Sequence, residues 1–266
     1  MERVLRGCCH LDYRFHVYMT KCFVRKSVAI AALALGLSAT AANATVVFTG
    51  SSGSLAASAE FTVSGSTLTV TLTNTSANDV LVPADVLTAV FFNLAGNPSL
   101  TRTSALLAGG STVFYDADGQ PAGGIVGGEW AYLNGLSQYG VNSGISSSGL
   151  GIFGPGDRFP GADLEPPASP DGVQYGLLSA GDNTATGNGG ITGSGGLIKN
   201  SVVLTLGGLP GGFSESSITD VTFQYGTGLT EPSYRGGPPG RVPEPTSLLL
   251  VALALVALRF TRRPTS

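Results

Sequence analysis

The chain has 266 residues, of which only 12% are charged, 39 are glycine, three are cysteine and two are histidine, with a net charge of −3. Cys8, Cys9, Cys22, His10 and His16 all precede residue 23, so the body of the chain has no disulfide framework, no Cys nucleophile, no Cys or His zinc site and no Ser-His-Asp triad. Residues 45–241 carry fourteen acidic and five basic side chains, a net charge of −9 that repels phosphate backbones and excludes nucleic acid as the expected partner.

In chain order, Lys21, Arg25 and Lys26 form a basic region, 27–40 an apolar region, and Ala42-Asn43-Ala44 a small-x-small cleavage site. This is the pattern of a secretory signal peptide, cut after Ala44 to expose Thr45. Residues 1–18 hold charges, histidines and cysteines that such a leader seldom carries, and Met19 stands directly before the basic region, so Met19 is the expected start.

Residues 66–73 alternate strictly, with Leu68, Val70 and Leu72 on one face and threonines on the other, the period of a half-buried strand. Glu60-Phe61-Thr62-Val63 precedes it across Ser64-Gly65, which predicts a tight hairpin. Further β-branched and aromatic runs at 86–93, 111–115, 130–133, 174–178, 197–206 and 218–225 are bounded by Gly, Pro, Asn or Asp. Only 84–90 and 104–108 have the composition of a helical turn. From 140 to 196, 16 residues are glycine, which disfavours helix and predicts long surface loops. The expected fold is all-β: a single sandwich or jelly-roll domain over 45–229, followed by a Pro- and Gly-rich stalk at 230–241.

The segment after the stalk opens with Val242-Pro243-Glu244-Pro245, continues in an apolar run over 246–258, and closes with Arg259, Arg262 and Arg263. The prolines suit the first turn of a separate helix. Thirteen helical residues span about 20 Å against a bilayer core of about 30 Å, a marginal membrane anchor held by arginines on the cytoplasmic side. Residues 242–263 resemble the PEP-CTERM sorting signal of exported bacterial proteins. Thr246 departs mildly from the Ser or Ala more common there. The resemblance implies transient inner-membrane anchoring and cleavage near the triplet by an exosortase-type membrane enzyme. It further implies delivery to the surface or matrix of a Gram-negative cell that makes exopolysaccharide, a setting linked to biofilm.

Four groups in the body are candidate sites. Asp116-Ala117-Asp118-Gly119 begins as short calcium loops do, and Ca2+ is the one cofactor the residues suggest, although a solvated turn explains them as well. Trp130, Tyr132, Tyr139 and Phe159 could form an aromatic face that stacks on a polysaccharide. Glu129, Asp157, Asp163 and Glu165 have the residue type that a glycoside hydrolase pairs across a sugar, the alternative to a structural or adhesive role. Asn74-Thr75-Ser76 is a glycosylation sequon at the end of a strand.

Overall fold

The computed structural model describes residues 44–237. The leader, residues 238–241 and the whole sorting segment 242–266 lie outside them, and so do the readings placed there. Thirteen strands follow in order: β1 (Ala44–Ser52), β2 (Leu55–Ser64), β3 (Thr67–Asn74), β4 (Leu87–Leu94), β5 (Thr101–Leu107), β6 (Thr112–Phe114), β7 (Ala131–Asn134), β8 (Ser143–Ser146), β9 (Leu177–Leu178), β10 (Leu197–Lys199), β11 (Ser201–Gly207), β12 (Ile218–Tyr225) and β13 (Ser233–Arg235). The one α-helical element among the described residues is a single turn, Gly189–Thr192, so the fold is all-β.

The strands form two sheets. One runs β1-β2-β3-β11-β5 with every neighbour antiparallel. The other runs β13-β12-β4-β9-β10-β6, with β8 and β7 continuing from the far half of β4. The expected hairpin is present with its turn one residue later than Ser64-Gly65: Ser64 pairs with Thr67 across Gly65-Ser66, and Gly65 takes the positive φ (59°) that a two-residue turn requires. Alternation in β3 buries Leu68, Val70 and Leu72, while β2 contributes Leu55, Ala57, Ala59, Phe61 and Val63 to the same face.

That face meets the second sheet. Phe61 packs edge-on against Phe92 of β4 with ring centroids 5.1 Å apart, and Val90, Phe223 and Tyr225 join the same core. Burying each such ring contributes about 1.5–3 kcal/mol relative to exposure. Strand β4 is mostly apolar and buried along nearly its whole length because both its faces are covered; its Thr88 is buried too and donates to the Gly226 carbonyl. Phe92 points between the sheets, whereas Ala89 and Phe91 pack outward against Val141, Leu150 and Phe153.

Several expectations are corrected. Residues 104–108, read as a possible helical turn, belong mostly to edge strand β5, whose pairing with β11 supplies the hydrogen bonds that local propensity did not. The run 197–206 is two strands: β10 pairs with β6 and β9 in one sheet, and β11 crosses at Asn200 to pair with β3 and β5 in the other. The glycine-rich stretch 140–196 is partly interior, since Ser146–Ser148, Val173, Tyr175 and Leu177–Ser179 are buried. The start of the expected stalk is part of the sheet. Ser233–Arg235 pair with β12, Tyr225 and Tyr234 share a hydroxyl hydrogen bond of 2.8 Å, and Gly236 donates to the Val221 carbonyl.

Candidate functional site

Glu129, Trp130, Asp157, Phe159, Asp163 and Glu165 converge on one region, where residues 154–165 fold back over Gly127-Gly128-Glu129-Trp130. Two consecutive glycines make this possible. A Cβ at Gly127 would lie 2.0 Å from the Pro160 carbonyl oxygen and one at Gly128 1.8 Å from that of Ala162, so neither position admits a side chain. The Phe159 N–H donates to the Trp130 carbonyl (2.8 Å), and Arg158 bridges Ala131.

Glu129 is 2% exposed, and its Oε1 accepts from the backbone N–H of Leu164 (2.6 Å) and Glu165 (3.2 Å). Burial raises its pKa, outweighing the two N–H donors that favour the charged form; Asp163 adds to the rise and Arg158 opposes it. The group therefore ties down a loop. A raised carboxyl pKa means that the folded state binds the extra proton, so its contribution to stability falls as pH rises through the window above the ordinary glutamate value. Glu129→Gln keeps the accepting oxygen and removes the buried charge. It should match or slightly exceed the wild type in urea denaturation at pH 8 and lose this part of the pH slope. Glu129→Ala orphans two N–H groups and should cost about 1–3 kcal/mol.

The neighbouring carboxylates are also engaged. Asp157 Oδ2 accepts from the Gly154 N–H (2.8 Å) while Oδ1 lies 3.8 Å from Arg102 Nη1. Asp163 pairs with Arg158 at 2.6 Å, and Arg158 Nη1 also donates to the Gly128 carbonyl (3.0 Å). Both arginines line an open cleft of about 460 Å³ whose other walls include Thr101, Pro155 and Pro160. Arg102 was not singled out from the sequence. The signal available was scarcity, since it is one of four basic side chains between residues 44 and 237.

The expected aromatic face does not exist as a surface. Trp130, Tyr132 and Phe159 are buried in the core between the sheets, and Tyr139 packs on Phe91 (5.2 Å between centroids) while its hydroxyl donates to Gln224 Oε1. Buried rings present no face to a sugar. Trp130, Tyr132 and Phe159 are core, where a large apolar side chain gains most, and Tyr139 is half-buried on the outer face of β4, so the four share no common surface.

At Asp116, Oδ1 accepts from the Asp118 N–H (2.7 Å) and Oδ2 from the Tyr175 hydroxyl (2.6 Å), which makes the motif a closed turn braced from below. Gln120 closes the same turn by bonding both backbone groups of Val113. Among the described residues, no three His, Cys, Asp or Glu side chains are grouped to hold a metal. Asn74 of the sequon is fully buried, donating through Nδ2 to the Leu177 carbonyl (2.9 Å), so folding withdraws it from modification.

No protein-family model, curated protein or solved structure matches this chain.

Proposed function

We propose that this chain is an exported bacterial surface or matrix protein, with a β-sandwich body and a structural or adhesive role in an exopolysaccharide matrix. The leader directs export, the segment 246–258 holds the protein transiently in the inner membrane, and an exosortase-type enzyme cuts near the Pro-Glu-Pro triplet. One observation carries the reading: Val242-Pro243-Glu244-Pro245, an apolar run and the cluster Arg259, Arg262, Arg263 stand in that order a few residues after the body. Among the described residues the last strand ends at Arg235, and Gly236 and Gly237 are still bonded to the Val221 and Thr49 carbonyls, so the body reaches to within a few residues of Val242.

A non-catalytic role is supported by what the acids do. Three of the four acids a glycosidase could use, Glu129, Asp157 and Asp163, are engaged in holding the 154–165 loop, and the fourth, Glu165, gives its backbone N–H to Glu129. The test is intact mass and cell fractionation in the native host beside Glu244→Ala. The wild type should begin at Thr45, end near 243–245 and be recovered outside the inner membrane, while the variant keeps residues 246–266 and stays in that membrane. If both remain uncut and co-fractionate, the triplet is incidental and the sorting reading falls.

A further inference from the structure

Asp79 and Asp182 stand 103 positions apart in the chain, yet folding brings their carboxylates together in a place that no part of the sorting reading uses. Asp79 lies on the segment that leaves β3, and Asp182 on the turn that leaves β9. The two segments are stitched by backbone bonds from Ala180 N–H to the Asn74 carbonyl (3.1 Å) and from Gly181 N–H to the Ser76 carbonyl (3.0 Å). They cross so closely that a Cβ on Gly181 would fall 2.0 Å from the Ala77 carbonyl oxygen. The pair of acids is thus held in place by main chain, not by mobile side chains.

Asp182 is 6% exposed. Its Oδ1 accepts from the Val80 N–H (3.0 Å), but its Oδ2 is buried with no hydrogen-bond partner among the described residues. Asp79 sits half-exposed in front of it, accepting from the Asn183 N–H (2.9 Å) and the Thr186 hydroxyl (2.5 Å). Burial pushes the Asp182 carboxyl pKa up, and Asp79 adds to the rise as a hydrogen-bonding neighbour and a like charge, while the Thr186 hydroxyl and the Asn183 N–H hold the Asp79 carboxyl below its ordinary value. The other titratable groups facing the pair are Lys199 on β10, whose Nζ donates to the Asp182 backbone carbonyl (2.6 Å), and Tyr115, whose hydroxyl donates to the Thr184 carbonyl (3.0 Å).

Two adjoining carboxylates do not both stay ionised with nothing between them, and a buried carboxylate oxygen without a partner is costly. A divalent cation removes both penalties at once. The acceptors here are all hard oxygens, with no sulfur or imidazole near, which selects calcium or magnesium over transition metals. Calcium is the better fit because it accepts an irregular set of carboxylates, hydroxyls and carbonyls completed by water.

We propose that Asp79 and Asp182 bind a calcium ion that clamps the segment after β3 to the turn after β9. With only two carboxylates the affinity expected is that of extracellular modules, about 10⁻⁴–10⁻³ M. The test is calorimetric titration of the chelator-treated full chain with calcium chloride, alongside melting in 10 mM calcium and in chelator. Saturable heat and a rise in Tm on the order of 5 °C are expected, since an ion bound only by the folded state stabilises it. Asp182→Asn and the rim variant Asp79→Asn should each weaken binding more than tenfold, and Asp116→Asn should leave it unchanged. No heat and equal Tm with calcium and chelator in the wild type would overturn the proposal, as would a calcium response retained by both Asp79→Asn and Asp182→Asn. Calcium-independent stability that falls as pH rises through the raised Asp182 pKa would mean that a proton, not a metal, joins the pair, and would overturn it equally.

Discussion

Trp130→Ala is expected to destabilise the fold by about 3–5 kcal/mol and lower its Tm by about 10 °C, measured by chemical denaturation and a thermal melt. The ring is 0% exposed and belongs to the core between the sheets with Phe159, Tyr175 and Ile198. Removing it leaves a cavity whose walls are fixed by two sheets and cannot close fully. Its Nε1–H has no partner among the described residues, so Trp130→Phe, which discards that unpaired donor but keeps an aromatic ring, should retain most of the lost stability. A tryptophan serving as a surface platform would behave in the opposite way: alanine would leave the denaturation midpoint in place and abolish only ligand binding. An unchanged midpoint would therefore refute the buried position.

Gly128→Ala should be comparably severe, on the order of 3 kcal/mol, for a different reason. The new Cβ would stand 1.8 Å from the Ala162 carbonyl oxygen and 2.5 Å from its carbon, with both partners being backbone, so the 154–165 loop must lift away. Overpacking alone costs about 1–3 kcal/mol. Lifting the loop also loosens the Leu164 and Glu165 N–H bonds to Glu129 and the Arg158 bond to the Gly128 carbonyl, each worth about 0.5–3 kcal/mol. Gly156→Ala in the same loop is the control, because a Cβ there meets nothing within 4 Å. Limited proteolysis across 154–165 should become fast in the first variant and stay at the wild-type rate in the second. Equal rates in both would show that the loop does not depend on this contact.

The sheet strands with one buried face were readable because side-chain direction alternates with every residue. Strand β3 shows this most plainly, and β12 spans 218–225 as its aromatic and β-branched run predicts. Strand β5 was not readable, since Thr101-Arg102-Thr103-Ser104 carries little apolar signal and becomes a strand through the bonds that β11 provides. Strand β13 hid behind its proline and glycine neighbours in the same way, and its pairing with β12 and the Tyr225–Tyr234 contact make it part of the sheet.

The candidate sites divide similarly. Residue type alone nominated Trp130, Tyr132, Tyr139 and Phe159, but an aromatic ring gains from burial and from stacking alike, and the sheets decide between them. The Asp116 motif was visible as a turn; that its second oxygen is claimed by Tyr175 depends on a residue 59 positions away.

What the sequence by itself determined is local or compositional: the all-β class, a hairpin between β2 and β3 with its turn read one residue early at Ser64-Gly65, the absence of Cys and His chemistry from the body, and the order of elements in 242–263 that motivates the sorting proposal. The tertiary structure alone decided the crossing between sheets at Asn200, the burial of Trp130, Tyr132, Phe159 and Asn74, and the meeting of Asp79 with Asp182. The physical reason is sequence distance. Periodicity and turn chemistry act within a few residues, whereas burial, pairing partner and like-charge contact depend on which remote segment arrives opposite, and no local pattern encodes that arrival.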